Sequence, residues 1–140
     1  MSGPAPSPPA WPLRLRLSRA KGYRLQDQSP DGRPVRIVAR PTKFGNPFTI
    51  ASWRAAGYVG SDEVARAACA EAFREWLANG DDGRHRAVEP MQRRWILEEL
   101  DALAGLHLAC WCPLPEPGQP DHCHAAVLIA LANRETHDED

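Results

Sequence analysis

The stretch Leu106-His107-Leu108-Ala109-Cys110-Trp111-Cys112 decides the fold. It is a nearly continuous apolar run, entered from Gly105 and left through Pro113. A strand that alternates is wet on one face, whereas a run like this one is covered on both, as strands of parallel sheets are. Successive side chains of a strand point to opposite faces, so Leu106, Leu108, Cys110 and Cys112 share one of them.

Two further strands are expected upstream. Leu13, Leu15 and Leu17 alternate with Arg14 and Arg16, the period of a half-buried strand. Asp31-Gly32 and Pro34 mark a turn, and Val35-Arg36-Ile37-Val38-Ala39 reads as a second, more buried strand. It runs into a loop punctuated by Gly and Pro, Arg40-Pro41-Thr42-Lys43-Phe44-Gly45-Asn46-Pro47-Phe48.

The next clear element is a helix that Ser61 caps, with Asp62 and Glu63 in its first turn. Ala65, Cys69, Phe73 and Leu77 form one row, with Val64, Ala68, Ala72 and Trp76 beside it, and Asn79-Gly80 ends the stripe. Cys69 lies within that stripe and reads as a core residue. A second helix starts at Glu89-Pro90, with Met91, Trp95, Ile96, Leu100 and Leu103 as its buried face and Gly105 as its stop. A last one begins near Cys123-His124 and runs through Val127, Leu128 and Leu131 to Asn133.

Strands separated by helices give an α/β class: a single compact domain over 13–133, a small sheet with flanking helices, compatible with a Rossmann-like three-layer arrangement. Residues 1–12 hold five prolines and read as a disordered Pro-rich leader, and 134–140 as an acidic tail. Hydrophobic residues at 43% and charged ones at 25% are globular values. No apolar stretch has the roughly 20 residues of a membrane span. The N-terminus lacks the pattern of a signal peptide, and four cysteines do not make a disulfide scaffold, so a cytoplasmic protein with reduced thiols is expected.

Cys110, Cys112, Cys123 and His124 fall within fifteen residues. Thiolate and imidazole suit zinc or an iron–sulfur cluster. Cys110 and Cys112 share a strand face, and Cys123 returns after a ten-residue loop with His124 beside it, which is a Cys3His zinc set. The C-x-C spacing departs from the usual C-x2-4-C knuckle, and a three-cysteine iron–sulfur cluster with an open iron is the other metal reading. A nonmetal reading also stands: Cys123 at a helix start, next to His124 and near His122, acquires a depressed pKa and acts as a nucleophile with histidine as acid or base. The third reading is two free cysteines packed in a buried strand.

The net charge of -1 conceals an uneven distribution. Nine basic residues between Leu13 and Lys43 face only Asp27 and Asp31. A basic half attracts phosphates or nucleic acid, or is simply a solvated strand face. Within it, Arg40, Lys43 and Asn46 sit beside Gly45, where the backbone can approach an anion and exposed N–H groups can form a nest. The glycine spacing of a Walker or dinucleotide loop is absent. Phe44 and Trp111 either stack on a nucleobase or fill core. If the strands at 35–39 and 106–112 are parallel, both loops leave the carboxyl edge of the sheet, where open α/β sheets bind ligands.

Four pieces together resemble one family: Leu17-Ser18-Arg19-Ala20-Lys21-Gly22-Tyr23-Arg24, Ala39 to Phe48, Leu108-Ala109-Cys110-Trp111-Cys112-Pro113, and Cys123-His124-Ala125-Ala126-Val127-Leu128. It is the uncharacterised domain of unknown function 4326, found in bacteria and their phages, and the resemblance spans about residues 13–133. It implies that the Arg40 loop and the cysteine cluster belong together, but it supplies no reaction. Phage association makes nucleotide or nucleobase chemistry an expectation by analogy. The family's loop between the cysteines is usually shorter, so Leu114 to His122 stands as an insertion. The family usually has Asp where this chain has Ala125 or Ala126.

The expectation is a small enzyme acting on a nucleotide, nucleobase or phosphorylated metabolite. Cys110, Cys112, Cys123 and His124 serve as metal ligands, Cys123 and His124 as catalytic residues, and Arg40, Lys43, Asn46 and Trp111 bind the ligand. Zinc is the expected cofactor, with an iron–sulfur cluster as the alternative. The competing expectation is a zinc-stabilised module that contacts DNA or RNA through the basic half.

Overall fold

In the computed structural model, residues 11–79 and 82–134 are described. The expected leader and acidic tail fall largely outside them. Three short strands form one parallel sheet in the order β1-β3-β2, with β1 Arg14–Arg16, β2 Val35–Ile37 and β3 His107–Cys110. Arg14 pairs with Leu108 and Arg16 with Cys110 on one side, and Val35 with His107 and Ile37 with Ala109 on the other. Every residue of β3 is buried, as the apolar run demands of a central strand. Backbone bonds from Leu17 N–H to the Cys110 carbonyl and from Val38 N–H to the Ala109 carbonyl extend both ladders past the strand ends.

The helices are α1 Ile50–Ala55, α2 Asp62–Asn79, α3 Pro90–Glu99 and α4 His124–Asn133. None among the described residues is long and apolar enough to cross a membrane. α4 packs against β3 and β1, and α2 packs on α4. The core gathers Phe73, Trp76 and Leu77 of α2, Ile96 of α3, Leu108 of β3 and Leu128 of α4. Burying each such side chain contributes about 1.5–3 kcal/mol.

The cap of α2 is the expected one, since Ser61 Oγ accepts from Val64 N–H. The row Ala65, Cys69, Phe73 and Leu77 is buried throughout. Its neighbour is covered only in part: Trp76 is core and Ala68 and Ala72 are half-buried, but Val64, in the first turn beside Gly60, is 52% exposed. Met91 is likewise 81% exposed, in the first turn of α3 at the rim of a surface cleft rather than on the buried face. α3 tightens into a 3-10 turn, Leu100–Leu103, and the chain reverses at Gly105 with φ 78°. The short α1 was not expected from the sequence. Thr49 and Ser52 cap it reciprocally, a signal too brief to stand out over six residues.

His107 on β3 ties the turn before β2 to the sheet. It is 1% exposed, its Nδ1 accepts from Leu13 N–H at 2.9 Å, and its Nε2–H donates to Asp31 Oδ1 at 2.8 Å. That hydrogen bond holds the Asp31 carboxyl down at about 2.

Candidate metal centre and the cleft beside it

All three strands run the same way, so the chains leaving β2 and β3 emerge at one edge of the sheet. The two loops meet there. Cys110 ends β3, Cys112 follows two residues on, Cys123 is the cap residue of α4, and His124 is its first helical residue.

The Sγ atoms of Cys110, Cys112 and Cys123 all lie within 4.8 Å of one another, with Cys110 and Cys112 3.9 Å apart. His124 Nδ1 is 4.0 Å from Cys110 Sγ and 3.9 Å from Cys123 Sγ. Around one tetrahedral ion, with metal–sulfur bonds of about 2.3 Å, ligand atoms sit roughly 3.5–4 Å apart. The thiols therefore suit a single shared ion. A polynuclear cluster spreads its cysteines over different irons and holds their sulfurs further apart.

His124 is not one of the three residues whose ligand atoms all lie within 4.8 Å of one another, but its ring is turned toward two of the thiols. Its Nε2–H donates to the Val38 carbonyl at 2.8 Å, which leaves the Nδ1 lone pair toward the thiols. A carbonyl partner on the far ring nitrogen is how metal-binding histidines are commonly fixed. Phe73 packs edge-to-face on the imidazole, at 5.2 Å between ring centroids.

The loop between Cys112 and Cys123 is clamped by a residue that no local pattern marks as functional. Arg14, buried on β1, pairs with Asp121 through Nε at 2.8 Å and Nη2 at 2.7 Å. Its Nη1 donates to the Cys112 carbonyl at 2.5 Å and its Nη2 to the Pro113 carbonyl at 2.6 Å. One guanidinium thus fixes both ends of the loop and brings Cys112 back beside Cys123. The period-two pattern marks Arg14 only as an outward polar residue, and a partner 107 positions away leaves no local trace.

The thiols share their charge unevenly. Hydrogen bonds from Cys112 and then Cys123 draw the Cys110 thiol far down. The same bonds push Cys123 up, with Cys110 as the main cause, and push Cys112 up as well. The helix start was expected to depress Cys123, whereas its two neighbouring thiols and burial push it up. Three thiols crowded together at a buried site form an arrangement that a divalent cation stabilises.

Cys110, Cys112, Cys123 and His124 line a cleft of about 220 Å³, together with Arg40, Asn46, Arg66, Cys69, Trp111 and His122. Asn46 is spent on structure, since its Nδ2 donates to the Cys69 carbonyl and its Oδ1 accepts from Phe48 N–H. Arg40 reaches back to the Asn46 carbonyl at 2.7 Å. Gly45 serves that closure: a Cβ there would lie 2.6 Å from Arg40 Cγ. The close approach is therefore to Arg40. Lys43 does not face the cysteines; its ammonium lies over Trp95, 5.2 Å from the ring centroid, in a second cleft with Met91 and Gln92. Phe44 is core at 1% exposure. Trp111 is 42% exposed at the cleft rim, under the guanidinium of Arg19.

A family model, Domain of unknown function (DUF4326), matches residues 16–134, from the last residue of β1 to just past α4. The chain belongs to this family. The match takes in both loops of the site and all four Cys and His residues of the centre. Neither the curated proteins nor the solved structures contain a match.

Proposed function

We propose that the chain is a small zinc-dependent enzyme acting on a nucleotide, nucleobase or phosphorylated metabolite. One observation carries this reading: a cleft opens beside the three thiols and His124, and Cys112 at its wall is only half-buried although the other three are buried. A purely structural zinc knot has no use for an opening onto its ligands. The cleft is smaller than the roughly 300–1,000 Å³ of a drug-sized site, a size suited to a base or a sugar phosphate rather than a dinucleotide.

Cys110, Cys112 and Cys123 are the proposed protein ligands, with His124 Nδ1 as the fourth. When bound, the ion would supply a Lewis acid for a carbonyl or phosphoryl oxygen of the substrate, provided that oxygen is admitted beside the protein ligands. His124 then holds its orientation through Val38, and Cys112, the least buried of the three thiols, forms the edge toward the substrate. Trp111 and Arg40 stand at the cleft as binding residues. Cys123, 1% exposed and held up by its neighbours, is better placed as a ligand than as a nucleophile.

A second reading has its own support. Arg16, Arg19, Lys21, Arg24 and Arg36 are all exposed, the arrangement of a polynucleotide-binding surface around a zinc-stabilised module. The deciding experiment incubates zinc-loaded protein with nucleobases, nucleoside monophosphates and sugar phosphates, following products by mass spectrometry. Turnover that Cys112→Ala abolishes supports the enzyme. No turnover, together with DNA or RNA binding that weakens steeply with salt, establishes the module instead.

A further inference from the structure

Four arginines among the described residues are not fully exposed: Arg14, Arg33, Arg66 and Arg93. Three of them have visible reasons to be there. Arg14 pairs with Asp121, Arg33 with Asp31, and Arg93 donates to the carbonyls of Trp76 and Leu77. Arg66, on α2 one turn before Cys69, has no hydrogen-bond or ion-pair partner among the described residues. It lines the cleft of the cysteine centre, where Arg40 brings a second guanidinium.

No carboxylate among the described residues lines that cleft. Arg66 is half-buried there without a partner among them, and Arg40 is exposed beside it with one of its guanidinium nitrogens taken by the Asn46 carbonyl. An anion with several acceptor oxygens offers partners to both. A dianionic phosphate answers two guanidiniums better than a single carboxylate does, and a planar fork matches its oxygens bidentately.

We propose that Arg66, together with Arg40, is the anchor for the phosphate group of this cleft's ligand. The inference deepens the reading of the cleft as a small-molecule site, and it does not depend on which metal the cysteines hold. Arg66 is the residue that the sequence pattern concealed, because it borders the apolar stripe of α2 and resembles an ordinary solvated helix charge.

The test is calorimetric titration of the full chain with inorganic phosphate, AMP and adenosine, with metal content measured on the same samples. AMP binds, and Arg66→Gln weakens it more than about tenfold, the loss expected for one charge-assisted bidentate contact. Arg66→Lys retains part of the affinity, and Arg94→Gln, an exposed residue of α3, retains all of it. Inorganic phosphate binding as tightly as AMP identifies free phosphate as the ligand, whereas tighter AMP binding identifies a phosphate monoester. Adenosine binding as well as AMP, or equal AMP affinity in wild type and Arg66→Gln, overturns the proposal. Absence of all binding in protein that carries one zinc overturns it too and leaves the metal reading intact. Phosphate binding that depends on Arg66 in protein unable to hold zinc sinks the metal reading alone. Circular dichroism of each variant separates lost binding from lost folding.

Discussion

His124 donates its Nε2–H to the Val38 carbonyl at 2.8 Å, so the residue that opens α4 is locked to the end of the neighbouring β2 segment. This bond leaves Nδ1 facing Cys110 and Cys123 and joins the two halves of the site through one imidazole. His124→Ala removes both the lock and a ligand. Zinc affinity, measured by competition with a chromophoric chelator, falls by about 100-fold or more. An unchanged affinity would remove His124 from the ligand set.

The cysteines divide three to one. Cys110→Ser and Cys123→Ser each lose bound metal, whereas Cys69→Ala keeps one ion per chain. Cys69 is a core residue of α2 whose thiol burial pushes up, and it lies outside the close trio. Its truncation costs about 1 kcal/mol of stability. Metal analysis of the three variants checks this, and loss of metal from Cys69→Ala would show that the trio is wrongly drawn.

Arg14 holds the loop between Cys112 and Cys123. Arg14→Met keeps the aliphatic bulk but strands Asp121 and two carbonyls, which costs about 3 kcal/mol. In a chain of this size that lowers Tm by roughly 10 °C. Zinc affinity falls in parallel, because Cys112 loses its anchor. A thermal melt that is unmoved by the substitution contradicts the clamp.

Acid stability reports on Asp31 and His107. The Asp31 carboxyl titrates near 3.8 when unfolded and at about 2 in the folded chain, held by the His107 N–H. Between those values the unfolded state binds more protons, so stability rises with pH there. The contribution is complete above about pH 4 and disappears as the pH falls through 2. Urea midpoints of Asp31→Asn therefore change less over this window than those of the wild type. Equal slopes would show that the bond is idle.

Much of this fold is legible because its signals are local. The apolar run through β3, the alternation in β1, the Ser61 cap of α2 and Pro90 at the start of α3 each follow from a few adjacent residues. Parallel pairing is what brings the two site loops together; the buried apolar run suits it, but the sequence left strand direction a condition. The cysteine cluster is legible for a similar reason, since strand periodicity puts Cys110 and Cys112 side by side.

What escaped was set by contacts distant in sequence. Arg14 with Asp121, and the lack of a partner for Arg66 among the described residues, are facts of packing with no counterpart in spacing. Lys43 reads as an anion ligand from its glycine-flanked loop, yet its side chain turns to Trp95. Asn46 reads as a binding residue and is occupied with Cys69 and Phe48. Val64 and Met91 fit their apolar stripes, but the first turns of their helices are left uncovered.

The central claim is that Cys110, Cys112, Cys123 and His124 hold one zinc ion at the wall of a ligand cleft. Its most direct test is elemental analysis, with acid-labile sulfide, of the full chain purified without air or chelator. One zinc per chain, colourless and without sulfide, is the predicted result. Protein that carries no metal even after equilibration with zinc, or that is brown with iron and sulfide, would contradict it.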